Sequence, residues 1–260
     1  MFNRELYILN KSPIQKDLYD LFKANKKLII LDIGSCEGED SIRYSKMFPN
    51  SRILAFEPLP SNQELILENL RKYKINNVEL VPYALSDKKG TDNFHVSSGN
   101  PDGLLNNEDW NFGNKSSSLL KPDKHLDITP WVKFNQLITV KTNTLLNISE
   151  ELKINDIDFV HIDVQGAELM VLNGAGVILK NIKVIWLEVA NITLYKNQAI
   201  KAEIEDFMRK NGFYLVKTCM EGDTGDQMYL NNRYFKTIKL FSLNKHFRKP
   251  LICKFKKYAD

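Results

Sequence analysis

Four acidic residues close apolar runs in this 260-residue chain: Asp32 after LIIL, Glu57 after ILAF, Asp163 after FVHI and Glu188 after VIWL. A buried carboxylate is costly unless something pairs with it, so four of them on successive runs predict one shared ligand cleft. The first is followed by a glycine-bearing turn, DIGSCEG (32–38). The dinucleotide fingerprint needs glycines at relative positions one, three and six. Counted from Gly34, those places hold Gly34, Cys36 and Glu39, and the carboxylates of Glu37 and Glu39 would meet a pyrophosphate. An NAD-type ligand is therefore disfavoured. Asp32 and the turn amides suit a ligand with a cationic amine and its own carboxylate, and Glu57 can accept from two vicinal ribose hydroxyls. Amine, carboxylate and ribose together describe S-adenosylmethionine, a methyl donor.

Methyl transfer to a hydroxyl needs the acceptor oxygen aligned and its proton accepted. His161 and Asp163 share a strand face by alternation and are the candidate bases. His161 has the intrinsic pKa for the role. Its competing reading is a satisfied core histidine. Asp163 and Glu188 end adjacent strands and are candidate ligands for Mg²⁺, which would lower a hydroxyl pKa by Lewis acidity. Carboxylates at strand ends are also often held by backbone amides.

These groups need a scaffold to bring them together. Residues 28–33, 52–57 and 78–85 read as strands, and 39–48 reads as a helix stopped by Pro49-Asn50. Ser61 and Glu64 form a capping-box signature for a helix that Ile66, Leu70 and Tyr73 continue. After residue 145 the alternation resumes with strands 157–163 and 183–189, helices 167–176 and 200–212, and an antiparallel terminal pair, 212–217 and 227–232. The expectation is one α/β domain over 1–235, with a seven-stranded Rossmann-like sheet whose last strand is antiparallel.

Between the third and fourth strands, residues 90–145 are rich in Gly, Asn, Ser and Pro and read as an irregular insertion. Long irregular segments in compact domains are usually functional, so this is the candidate acceptor site or lid. Trp110 and Trp131 are candidate platforms for a sugar face, and Ser116 and Ser117 candidate hydrogen-bonding partners. His95 and His125, in the same segment, are expected at the surface.

Composition excludes little and locates one feature. Hydrophobic residues are 43% and charged residues 26%, ordinary for a globular protein. The N-terminus lacks the apolar stretch of a secretory signal, and three scattered cysteines fit a reducing compartment better than a disulfide framework. A cytoplasmic location follows as the expectation. The net charge of +4 is too small to imply a nucleic-acid partner, but residues 236–260 form a basic C-terminal extension with interleaved phenylalanines and leucines. That extension is either a solvated tail or a peripheral contact with an anionic membrane face.

The chain resembles the FkbM family of S-adenosylmethionine-dependent methyltransferases. The motifs that carry the resemblance are LDIGSCEG (31–38), AFEPLP (55–60), YALSDKKG (83–90), SSSLLKP (116–122), FVHIDVQGAELMVLNGA (159–175), WLEV (186–189) and DQMYLNN (226–232). The family usually has lysine at the place of His161, glutamate at that of Gln165, and commonly asparagine at that of Cys36. The resemblance implies a class I methyltransferase sheet and O-methylation of a sugar, glycan or glycosylated small molecule, often in polysaccharide biosynthesis. It also implies that Asp32, Gly34, Ser35, Gly38 and Asp163 surround the methionine part of the cofactor, Glu57 its ribose, and Ala84 and Leu85 its adenine. Two alternatives share the fold. One is a nucleic-acid methyltransferase, against which DVQG stands in place of the Pro-Pro-aromatic motif of amino-methylating enzymes. The other is a catalytically degenerate adaptor, against which the intact acids stand.

Overall fold

A computed structural model describes residues 3–24, 26–101, 103–104, 110–235 and 251–253. Two short helices, α1 (Arg4–Leu9) and α2 (Gln15–Leu21), lead into strand β1 (Ile29–Ile33). Helix α3 (Glu39–Met47), strand β2 (Arg52–Phe56), helix α4 (Pro60–Lys72) and strand β3 (Val78–Val81) follow. The run expected as one third strand divides at Pro82, and β4 (Ala84–Leu85) joins a different sheet. The missing proline N–H ends the ladder there. Helix α4 begins one residue before the expected cap. Pro60 takes the first helical position, where its missing N–H costs nothing, and Ser61 lies inside the first turn.

The insertion is more ordered than its composition predicts. Its ends form β5 (Gly90–Ser98) and β6 (Lys133–Asn143), an antiparallel ribbon that makes a three-stranded sheet with β4. Both strands are largely exposed and built from polar residues, so no apolar run betrays them. The ribbon's loop carries a 3₁₀ turn, Gly113–Ser116, and helix α5 (His125–Ile128).

Beyond the ribbon come α6 (Leu145–Glu151), β7 (Ile157–Ile162), α7 (Glu168–Gly174), β8 (Ile182–Ala190) and α8 (Lys201–Lys210), then β9 (Phe213–Glu221) and β10 (Thr224–Asn231). The main sheet runs β9-β10-β8-β7-β1-β2-β3, and β10 alone among these lies antiparallel to its neighbours. The seven expected strands are all present. An eighth, β11 (Leu251–Cys253), adds in parallel to β9, with Cys253 at the register position of Cys219. Cys219 is disulfide-bonded, against the expectation drawn from scattered cysteines. The rest of the basic extension lies outside the described residues. No helix among the described residues is long and apolar enough to cross a membrane.

The central strands are covered on both faces, which is why they read as unbroken apolar runs. Leu31, Ile33, Val160 and Ile162 pack with α6, α7 and α8. Ile30, Phe159, Val184 and Trp186 pack with α2 and α3. The chain leaves β1 toward β2 and β3 on one side and reaches β7 and β8 on the other. Strand order therefore reverses between β1 and β7, and ligands of such sheets bind at the carboxyl ends flanking that point.

Candidate active site

The cleft at this reversal is lined by Asp32, Gly34, Ser35, Glu57, Ala84, Leu85 and Asp163, so most of the expected cofactor residues meet in one place. Its floor is shaped by backbone. Gly34 sits at φ +87°, and a Cβ there would lie 1.8 Å from the Asp163 carbonyl oxygen. Only glycine allows the turn after β1 to pass so close to the end of β7. The Gly34 and Ser35 N–H groups both donate to the Phe56 carbonyl, at 3.0 and 2.9 Å. Gly38, at φ +84°, is the N-cap of α3 and does not line the cleft, so its part is to turn the chain.

Glu57 is held in place by two backbone donors, the N–H of Cys36 at 3.0 Å and that of Leu59 at 2.8 Å. Burial pushes its carboxyl up to about 8 against the lowering effect of those bonds. Asp32 accepts the Ser41 hydroxyl at 2.6 Å and sits 3.2 Å from Nδ1 of His161, its register partner on β7. Burial alone would lower the His161 pKa, but the hydrogen bond and charge of Asp32 prevail and raise it to about 9. His161 is thus a cation at neutral pH, wedged between Asp32 and the Tyr44 hydroxyl at 3.2 Å. A protonated imidazole does not accept a proton, and this pairing weighs against His161 as the base.

Asp163, the other candidate base, belongs to a hydrogen-bonded group at the end of β7. Gln165 Nε2 donates to Asp163 Oδ1 at 2.7 Å and to Glu188 Oε2 at 2.9 Å, and the Tyr195 hydroxyl lies 3.2 Å from Gln165 Oε1. Gln165 holds this pose at φ +54°, a conformation non-glycine residues seldom take. Burial raises both carboxyls, but their neighbours differ. The His161 cation pulls Asp163 back down, whereas Asp163, Glu168 and Asp226 push Glu188 further up. Both carboxyls are thus shifted upward, Asp163 with a neighbouring cation opposing the shift and Glu188 without one. The amide also takes the place expected for Mg²⁺. The Asp163–Glu188 pair is bridged by a hydrogen-bond donor, and among the described residues no group of three or more His, Cys, Asp or Glu is arranged to hold a metal.

The acceptor-side expectations divide. Trp110 and Ser117 line the cleft. Ser116 and Trp131 do not: Ser116 offers its carbonyl to the Tyr195 hydroxyl at 2.8 Å, and the Trp131 backbone abuts Gly99. The Ser117 hydroxyl is itself tied to Ser97 at 3.0 Å. His125, expected at the surface, is buried between the rings of Phe134 and Tyr195, and His95 is half-buried in β5.

A roof over the cleft was not foreseen. Arg4 of α1 pairs with Glu37 and lies 3.5 Å from Glu39. Tyr7 donates to Asp40 at 2.9 Å and packs 5.4 Å from Trp110. From the insertion, Asn114 donates to Glu37 at 2.7 Å, and Lys115 stands 3.2 Å from Glu39 and 4.4 Å over the Trp110 ring. The alternation of Glu37 and Glu39 with glycines was a usable signal, since acids in a buried turn demand cations from somewhere.

The cleft fits an adenosyl cofactor by its own chemistry. It offers an acid for vicinal hydroxyls (Glu57), an apolar slot between Ala84, Leu85 and Phe56, and carboxylates for an amine near a turn that admits close approach. The FkbM methyltransferase domain matches residues 32–215 of the chain. The 2-O-methyltransferase NoeI of Sinorhizobium fredii (strain NBRC 101917 / NGR234) is 31% identical over 205 residues, covering 79% of this chain and 80% of the relative. Among solved structures, an rRNA methylase from Streptococcus thermophilus is similar over 86% of this chain and 98% of its own, with 10% identity and a TM-score of 0.48. A precorrin-6y C5,15-methyltransferase from Geobacter metallireducens is similar over 86% and 90%, with 15% identity and a TM-score of 0.45. The chain belongs to the FkbM methyltransferase family and is an S-adenosylmethionine-dependent methyltransferase.

Proposed function

We propose that the protein methylates a hydroxyl of a sugar, glycan or glycosylated small molecule, with Asp163 as the proton acceptor. The observation that carries this reading is the Asp163 carboxyl, which lines the cleft and accepts the Gln165 amide N–H at 2.7 Å through one oxygen only. The cofactor supplies an activated methyl group. Asp32, Glu57 and the turn around Gly34 would hold it, and the acceptor hydroxyl would pass its proton to the Asp163 oxygen not engaged by Gln165. Similarity to a 2-O-methyltransferase supports transfer to oxygen. The resemblance to a family whose members mostly modify sugars and hydroxylated natural products supports the acceptor class. Tyr7 and Trp110 both line the cleft, so aromatic ring surface borders the space an acceptor would enter.

A polyanionic acceptor is less well served. Five acidic side chains line the cleft, Asp32, Glu39, Asp40, Glu57 and Asp163, against His161 and Lys115. Phosphates brought there would meet carboxylates rather than the basic stripe that nucleic-acid binding uses.

Two measurements test the proposal. Calorimetric titration with S-adenosylhomocysteine, with NAD as control, is expected to give about micromolar binding that Glu57→Ala weakens at least about tenfold. Transfer of label from S-adenosylmethionine to oligosaccharides with free 2-hydroxyls is expected to exceed transfer to RNA. Label on RNA alone overturns the acceptor class, and undiminished binding by Glu57→Ala overturns the ribose contact.

A further inference from the structure

We infer that Lys115, carried by the insertion, is the cofactor's carboxylate clamp. This rests on the adenosyl cofactor and is independent of the sugar acceptor. The amino-acid end of that cofactor is a zwitterion. Five carboxyl groups line the cleft (Asp32, Glu39, Asp40, Glu57 and Asp163), against two cationic side chains, His161 and Lys115. A ligand carboxylate entering such a field needs a cation of its own.

His161 is committed. Its Nδ1 is shared between Asp32 and the Tyr44 hydroxyl, each at 3.2 Å, and its side chain is 11% exposed. Lys115 is placed otherwise. Its ammonium stands 3.9 Å from Cys36 Sγ, at the rim of the turn whose amides form the cofactor floor. The ammonium lies over the Trp110 face, 4.4 Å from the ring centroid, and Lys115 lines the cleft. An ammonium carries three donors, and the structure assigns one to Glu39, at 3.2 Å, and one to Cys36 Sγ, which leaves one for a ligand. Glu39 does not depend on that bond alone, because Arg4 lies 3.5 Å from the same oxygen. The Lys115 side chain is 29% exposed while Arg4 is 4% exposed, so the lysine is the member of this cluster free to reach a ligand. The insertion then serves the cofactor as well as the acceptor, and cofactor binding fastens the roof to the floor.

The test compares two ligands that differ by one group. S-adenosylhomocysteine and its decarboxylated form share adenosine, sulfur and amine, and only the first has the carboxylate. Wild type is expected to prefer S-adenosylhomocysteine by about 10- to 100-fold, the range for a charge-assisted hydrogen bond. Lys115→Met is expected to erase that preference while binding the decarboxylated ligand within about twofold of wild type, and Lys115→Arg to restore most of it. The clamp is overturned if Lys115→Met keeps the preference, if it weakens both ligands equally, which marks a packing role on Trp110, or if wild type shows no preference. Absence of binding by either ligand to wild type overturns the cofactor site itself. An acceptor other than a sugar leaves these outcomes unchanged.

Discussion

The floor and the roof of the cleft are built by different means. The floor, residues 31–60, is held by backbone: Gly34 and Ser35 on the Phe56 carbonyl, and Cys36 and Leu59 N–H groups on the Glu57 carboxylate. Its parts lie within about one strand–helix–strand unit. The roof is held by side chains from segments far apart in the chain. Arg4 reaches Glu37 across 33 residues, Asn114 reaches the same glutamate across 77, and the Tyr195 hydroxyl meets the Ser116 carbonyl across 79. A site whose geometry is fixed by backbone tolerates few substitutions, whereas one fixed by exchangeable side chains can change its acceptor without losing its cofactor. The same contrast explains why the cofactor is identified while the acceptor remains a proposal.

The sharpest way to break the comparison is Gly34→Ala. The added Cβ meets the Asp163 carbonyl, and the backbone is in the left-handed region, so a loss of about 3 kcal/mol or more is expected, read as a lower urea midpoint. Binding of S-adenosylhomocysteine should vanish with it. A stable, fully binding Gly34→Ala would mean that the floor is not set by backbone.

Asp163→Asn separates chemistry from binding. Turnover is expected to fall by about 10²- to 10⁴-fold, the usual worth of a general base, with S-adenosylhomocysteine affinity within about threefold of wild type. Retained turnover would remove Asp163 as the base.

His161→Gln sharpens the assignment of charge. The folded-state pKa is raised from 6.5 to about 9, so the stabilisation from the Asp32 pair is fully present below pH 6.5 and is lost as pH rises through about 9. The wild-type melting temperature should therefore decline across that window, and the variant's decline should be shallower. Equal slopes would show that His161 is neutral in the folded protein. The smallest effect belongs to Trp131→Ala. Trp131 does not line the cleft, so the acceptor KM and turnover should stay within about twofold. A large rise in KM would extend the acceptor site beyond the cleft.

Legibility followed the same division. Asp32, Gly34, Glu57 and Asp163 were readable because strand ends and glycine turns leave local marks, Ala84 and Leu85 came only from the family resemblance, and the structure gathers all six in one cleft. Trp110 was singled out correctly among the cleft residues, but Trp131 carried the same signal and lies elsewhere. Residue type alone does not say which way a loop folds. The ribbon β5–β6 was missed because its alternating apolar positions, Phe94 and Val96, Ile138 and Val140, are few and packed against Leu59 and Ala84 from elsewhere in the chain, within strands otherwise rich in polar residues. The charge of His161 was misjudged because its intrinsic pKa says nothing about a buried aspartate across the ladder. Gln165 bridging two acids was likewise invisible, since Glu188 arrives from a strand 23 residues away.

By itself, then, the sequence determined the sheet, the turn after β1 and the acids that end the strands. These depend on short-range rules: apolar runs bury, glycine turns, and a carboxylate at a strand end needs a partner. The tertiary structure alone decided which cation meets which acid, and which aromatic ring faces the cleft. Those outcomes depend on distances of a few ångströms between residues that the chain order does not bring together, and electrostatic energy changes most steeply over such distances.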